Sequence, residues 1–167
     1  MALSSPMRVA VLTVSDRCFG GSATDTSGPA LCEMARTHLG AVIVETAILP
    51  DEPDRLAEYF ATRSDPPRGI DLILSTGGTG LSPRDNTPEA LRRVMHREHA
   101  GLMELARLRC YAKTPRTFLS RGIAGTIHRT LILTLPGSPR GATENLEALL
   151  DVLPHAIETV RGEVRDG

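Results

Sequence analysis

The chain has no tryptophan, and aromatic residues make up only 3% of its 167 positions. Proteins that hold single-stranded nucleic acid stack bases on aromatic side chains above a basic groove. Neither ingredient is here, since the formal net charge is −1, and nucleic acid is not expected as a partner. Lysine is nearly absent as well: Lys113 stands alone beside eighteen arginines. An arginine excess suits bidentate anion binding, but a compositional bias explains it equally well, and it carries no functional weight. The three cysteines, Cys18, Cys32 and Cys110, are odd in number and form no CxxC pair. That excludes a disulfide framework or a zinc site of recognisable spacing and fits a reducing compartment. Long hydrophobic runs are missing too. No segment approaches the ~20 apolar residues of a membrane span, and MALSSPMRVAVLTVS has too few basic residues and too short an apolar run for a signal peptide. A soluble, cytoplasmic protein without a membrane partner is expected.

What is present is a hydrophobic content of 41% and a charged content of 23%, the balance of one soluble globular domain over residues 1–167. RVAVLTVS, from Arg8 to Ser15, is apolar and β-branched without clean alternation, as in a strand buried on both faces of a parallel sheet. A helix should follow from Ser27 to the stop at Gly40, then a strand over Ala41 to Leu49 and a helix from Pro53 to about Arg63. IDLILST, from Ile70 to Thr76, reads as the third strand. Thr87 as N-cap with Pro88 behind it opens another helix, and Gly101 to Ala112 reads as one more. GIAGTI and TLILTL flank His128-Arg129 as a hairpin, and one last helical pattern carries Leu146, Leu149, Leu150, Leu153 and Ile157.

Strands alternating with helices predict an α/β fold: an open, mostly parallel sheet with helices on both faces and the hairpin as an antiparallel edge. In such sheets ligands bind outside the carboxyl ends of the strands. Four loops should therefore share one rim: Ser15-Asp16-Arg17, Pro50-Asp51-Glu52, Thr76 to Asp85, and Pro136 to Pro139.

The third loop, STGGTGLSPRDNTPEA, carries the chemistry. Its glycines, Gly77, Gly78 and Gly80, leave backbone N–H groups free to face an anion, and the helix behind them adds a partial positive charge. It is neither GxxxxGK[ST], for want of a lysine, nor GxGxxG, because position 83 is proline. A tight strand-to-helix turn would also use these glycines; the interleaved Thr76, Thr79 and Ser82 favour a ligand. Asp85 would repel a bound phosphate unless a cation lies between them, and magnesium is commonly held by one or two carboxylates together with phosphate oxygens. Asp51 could supply the second carboxylate across the rim. Either acid alone reads as a helix cap, but Asp54 and Thr87 are available for that work, which leaves Asp51 and Asp85 for the metal. Ser138 lacks the GxSxG frame of a nucleophile and reads as a ligand hydroxyl or a turn residue. His96 and His99 read as a solvated helix face. Ser120-Arg121 reads equally as an anion contact or as surface.

STGGTGLSPRDNTPEA, with SDR after the first strand, ILPDE after the second, LSRGIAG before the hairpin and LPGSP after the last strand, resembles the Mog/MoaB family of molybdenum-cofactor biosynthesis. The match runs in order from about Arg8 to Arg161. The resemblance implies a homotrimer and Mg2+-dependent adenylylation of molybdopterin by ATP, giving adenylyl-molybdopterin and pyrophosphate. It makes Asp51 and Asp85 the essential, metal-holding acids. Ser15, Asp16, Arg17, Thr76, Gly77, Gly78, Thr79 and Gly80 then fall in substrate-binding loops, as do Glu104, Ser120, Arg121, Pro136, Gly137 and Ser138. Some close relatives in the family are thought to lack the activity, so a non-catalytic molybdopterin-binding or scaffold protein of the same fold stays open. A nucleotide-processing, competence-damage-like enzyme is more distant. With no second large region, molybdate insertion is expected to fall to a separate enzyme that receives the product.

Overall fold

The computed structural model describes residues 4–164; the first and last three residues of the expected domain lie outside it. Strand β1 (Arg8–Val14) leads directly into a short helix α1 (Asp16–Phe19), and α2 (Ser27–Leu39) then ends on Gly40 in the left-handed conformation. β2 (Val42–Leu49), α3 (Pro53–Arg63) and β3 (Leu72–Thr76) follow. Next come α4 (Thr87–Arg92), the two-residue β4 (Arg97–Glu98) and α5 (Ala100–Tyr111). A 3-10 turn at Pro115–Leu119 precedes the hairpin of β5 (Ala124–Ile127) and β6 (Thr130–Leu135), and α6 (Pro139–Glu147) and α7 (Leu153–Arg161) close the chain.

The six strands form one sheet in the order β2-β1-β3-β6-β5-β4. β2, β1, β3 and β6 run parallel, and β5 and β4 are antiparallel additions. The alternation hidden in RVAVLTV is a division of labour between two apolar layers, because successive side chains leave a strand on opposite faces. Val9, Val11, Leu72, Leu74, Leu131 and Leu133 pack against α2, α5, α6 and α7. Ala10, Leu12, Val14, Ile73 and Ile132 pack against Leu56 and Phe60 of α3 and Leu91 of α4. With both faces covered, every residue of β3 and β6 is buried, which is why they read as unbroken apolar runs.

The antiparallel edge expected from the hairpin is present: β6 joins β3 in parallel, β5 turns back against β6, and β4 extends that edge by one short strand. Three local expectations are revised. β4 is too short to leave a strand pattern in the sequence. His96 and His99 flank it rather than sharing a helix face, and His96 Nδ1 accepts from the His128 N–H (3.2 Å). The last helical pattern is broken into α6 and α7 around residues 148–152. Finally, Asn86, not Thr87, is the residue before α4, and Glu52, not Asp54, the one before α3, neither with a side-chain cap bond. Asp54 instead pairs with Arg93 (2.8 Å).

Candidate active site

Parallel strands end together, so the loops after β1, β2, β3 and β6 meet at one rim, as the topology predicts. Hydrogen bonds stitch them. Ser15 N–H donates to the Leu49 carbonyl (2.9 Å), Thr76 Oγ1 donates to the Pro136 carbonyl (2.7 Å) and Gly77 N–H to that of Leu135 (3.1 Å). Gly77 has φ 102, and a Cβ there would fall well inside contact distance of the Val14 carbonyl oxygen, so a side chain would strike backbone. Gly78, at φ 66, has Asp51 Oδ2 and Thr87 Oγ1 in the space a Cβ would fill. The glycines thus serve two ends at once: they give the chain its positive-φ turn, and they let the carboxylate of Asp51 and the hydroxyl of Thr87 reach the loop. Thr87 Oγ1 donates to the Gly77 carbonyl (3.0 Å) instead of capping its helix.

Asp51 and Asp85 flank this loop. Asp51 is 5% exposed, its Oδ1 accepts the Asn86 N–H (3.0 Å), and its own N–H donates to Asp16 Oδ1 (3.0 Å). Asp85 Oδ2 accepts the Ser82 N–H (3.1 Å) and lies 2.7 Å from where a Cβ on Gly80 would be. Burial pushes the Asp51 carboxyl up to about 6; the Asn86 N–H works against this, and the charges of Asp85 and Asp16 reinforce it. Asp16 goes the other way, held below the usual carboxylate range by hydrogen bonds from Arg84 and from the Asp51 N–H. Among the described residues, no group of three or more His, Cys, Asp or Glu side chains could hold a metal ion. A cation at Asp51 and Asp85 would therefore complete its coordination with substrate oxygens or water, the arrangement typical of magnesium.

Beside the glycine loop lies a cavity of about 880 Å³, within the usual range for small-molecule sites. Gly78, Thr79, Gly80 and Asp85 form one wall; Ser120, Pro136, Gly137 and Ser138 also line it. Ser138 Oγ accepts the Gly141 N–H (3.1 Å), capping α6, and Ser120 Oγ donates to Thr79 Oγ1 (3.2 Å). Ser15 Oγ caps α1 by accepting from Cys18 N–H (3.2 Å), and Arg17 is exposed. Glu104 is exposed on α5 and outside the cavity lining.

Arg121 is brought to the site but is turned to the protein. Its N–H donates to the Thr79 carbonyl (2.7 Å), Nε to that of Gly80 (2.8 Å) and Nη2 to that of Asp85 (2.7 Å), while Nη1 pairs with Glu89 of α4. It clamps the loop that bears Asp85. Arg107 of α5 holds the clamp in turn, with Nη2 donating to the Ser120 (3.0 Å) and Gly122 (2.6 Å) carbonyls. Nothing in GLMELARLRCYA distinguishes Arg107 from Arg109, which pairs with Asp151 at the surface, so sequence reading misses it. Thr117 is missed for a different reason. Its Oγ1 is buried without a hydrogen-bond partner in the cavity wall, on a 3-10 turn capped by Thr114; the Thr114-Pro115 start signal is legible, but the direction of Thr117 is not.

With this geometry in place, comparisons with known proteins identify the fold's relatives. Residues 10–155 match a family model described as a probable molybdopterin binding domain. The chain is 38% identical over 165 residues to gephyrin of Dictyostelium discoideum, covering 93% of this chain but only 23% of gephyrin's length. It is 34% identical over 157 residues to a molybdopterin adenylyltransferase of Helicobacter pylori, covering 93% of this chain and 89% of the relative. The crystal structure of the molybdopterin biosynthesis enzyme MoaB from Thermus thermophilus superposes with a TM-score of 0.87 at 49% identity, over 93% of this chain and 97% of that one. A glycine loop between two acids, at the carboxyl ends of a sheet that superposes on such structures along nearly its whole length, places this chain in the Mog/MoaB family of molybdenum-cofactor biosynthesis proteins.

Proposed function

We propose that the chain adenylylates molybdopterin with ATP and Mg2+, yielding adenylyl-molybdopterin and pyrophosphate. The observation that carries this reading is the placement of Asp51 and Asp85 on either side of the glycine loop, one buried and hard to ionise, the other on the cavity wall. The likeness to the Helicobacter pylori adenylyltransferase over most of both chains supports it.

In the reaction, an oxygen of the molybdopterin phosphate attacks the α-phosphorus of ATP; the new P–O bond forms as the bond to the departing pyrophosphate breaks. No covalent intermediate with the protein is needed, so the residues position two anions and offset charge. The Gly77 N–H is taken by the Leu135 carbonyl, so the loop N–H groups of residues 78–80 and the amino end of α6 at Ser138 are left to face anionic oxygen. Arg121 and Arg107 keep the loop in shape. Asp51 and Asp85 hold Mg2+, which supplies charge neutralisation to the triphosphate. On the same reading, supported by family membership, the chain is one molybdopterin-binding domain that works as a cytoplasmic homotrimer and hands its product to a molybdate-inserting enzyme.

Asp85→Asn tests the assignment, with Mg2+-dependent pyrophosphate release and molybdopterin binding measured side by side. Release should be lost with binding largely retained. Undiminished release from the variant refutes the role of Asp85; wild-type protein that binds molybdopterin but never consumes ATP makes the chain a non-catalytic binding protein instead.

A further inference from the structure

The loop from Ser82 to Asn86 contains one cation, Arg84, and its guanidinium faces neither the cavity nor the glycine loop. It folds back onto the rim. Nε donates to Asp16 Oδ2 (2.7 Å) and Nη2 to Asp16 Oδ1 (2.9 Å), the oxygen that also accepts the Asp51 N–H (3.0 Å). Three carboxylates, Asp16, Asp51 and Asp85, share this rim. Among the described residues Arg84 is the one basic side chain that hydrogen-bonds to any of them.

As a brace for the loop, this pair has little to do. The Arg84 side chain is 58% exposed and that of Asp16 42%, and exposed ion pairs contribute only about 0–1 kcal/mol. The loop backbone is fixed by other bonds: Asn86 N–H to Asp51 Oδ1, Ser82 N–H to Asp85 Oδ2, and Asn86 Nδ2 to the Arg84 carbonyl (2.9 Å). What the guanidinium does supply is positive charge beside acids that otherwise repel one another. A divalent cation would supply the same charge, and two cations at one cluster compete.

We propose that Arg84 is a resident counter-ion of the carboxylate rim, seated on Asp16 while no divalent cation is held, and free to contact the nucleotide phosphates once one is. The inference rests on the reading that Asp51 and Asp85 hold a divalent cation together with ATP. Exchange is cheap because the pair is exposed, and arginine's planar fork suits phosphate oxygens as well as it suits a carboxylate. Arg84 thereby couples the two events: its charge opposes the cation in the empty site and favours the nucleotide in the filled one.

The test is direct binding to wild type, Arg84→Gln, Arg84→Lys and Asp85→Asn, using Mn2+ alone and then a non-reacting ATP analogue at saturating Mn2+. Arg84→Gln should bind Mn2+ about threefold more tightly than wild type, from loss of one nearby positive charge in high dielectric. It should bind the analogue about tenfold more weakly, from loss of a charge-assisted hydrogen bond. Arg84→Lys keeps the charge without the fork, so its Mn2+ affinity should match wild type while its analogue affinity falls in between; an unchanged melting temperature shows that both variants fold. Mn2+ affinity of Arg84→Gln that is equal to or weaker than wild type overturns the proposal, as does unchanged analogue affinity. Asp85→Asn keeps the two readings apart. If it loses Mn2+ while Arg84→Gln behaves as wild type, the inference alone fails; if it binds Mn2+ as well as wild type, the cation assignment fails and takes the inference with it.

Discussion

Asp51→Asn should make this protein more stable and, at the same time, inactive. The Asp51 carboxyl is 5% exposed, receives one backbone N–H, and has Asp85 and Asp16 as charged neighbours. Burial, more than its neighbours, moves it from 3.8 to about 6. The folded state therefore holds this proton more tightly than the unfolded chain does. Stability from this group is complete below about pH 4 and is lost as pH rises to 6 and beyond. At about 1.4 kcal/mol per pH unit, the loss comes to about 3 kcal/mol. Asparagine has nothing to ionise and can still accept the Asn86 N–H, so it escapes the loss. Urea unfolding of the two proteins from pH 4 to pH 8, without divalent cations, should show nearly equal stability at the acid end. Above pH 6 the variant should gain up to about 3 kcal/mol, roughly 6–12 °C in melting temperature for a chain of this size. Adding Mg2+ and ATP should then stabilise wild type and not the variant. A stability difference that is flat across this range, or that favours wild type at pH 8, refutes the account of Asp51 as a carboxylate held ionised at a cost for the sake of a cation.

Two further substitutions probe the walls of the site. Gly78→Ala places a methyl group against Asp51 Oδ2 and Thr87 Oγ1 at φ 66; it should lower stability by about 1–3 kcal/mol and abolish ATP binding, read by urea unfolding and calorimetry. Thr117→Val removes a buried hydroxyl that has no partner, so unfolding should show it neutral or up to about 1–2 kcal/mol more stable, with molybdopterin affinity reduced if that hydroxyl serves the ligand.

The sequence by itself determined the layered architecture and the position of the rim. Apolar runs such as LILST and TLILTL, set between helical patterns, match strands buried on both faces of a parallel sheet covered by helices, and strands that run parallel end together. It also determined that Asp51, Asp85 and the glycines share that rim, because the topology carries all of them to the carboxyl ends of β2 and β3.

Tertiary structure alone decided what each polar group faces. Arg121 looked as suited to an anion as to solvent, yet it spends its donors on the carbonyls of Thr79, Gly80 and Asp85. Thr87 looked like a cap, and its hydroxyl instead ties α4 to Gly77. Arg84 and Asp16 are 68 residues apart and meet as a bidentate pair. The physical reason is range. Burial, periodicity and turn chemistry are set by near neighbours and leave a pattern in the chain, whereas a hydrogen-bond partner is whatever the fold brings within about 3 Å. The glycines show both sides of this: their clustering announces a loop open to an anion, but that Gly78 must lack a side chain to admit Asp51 and Thr87 is visible only once β2 and α4 stand beside it.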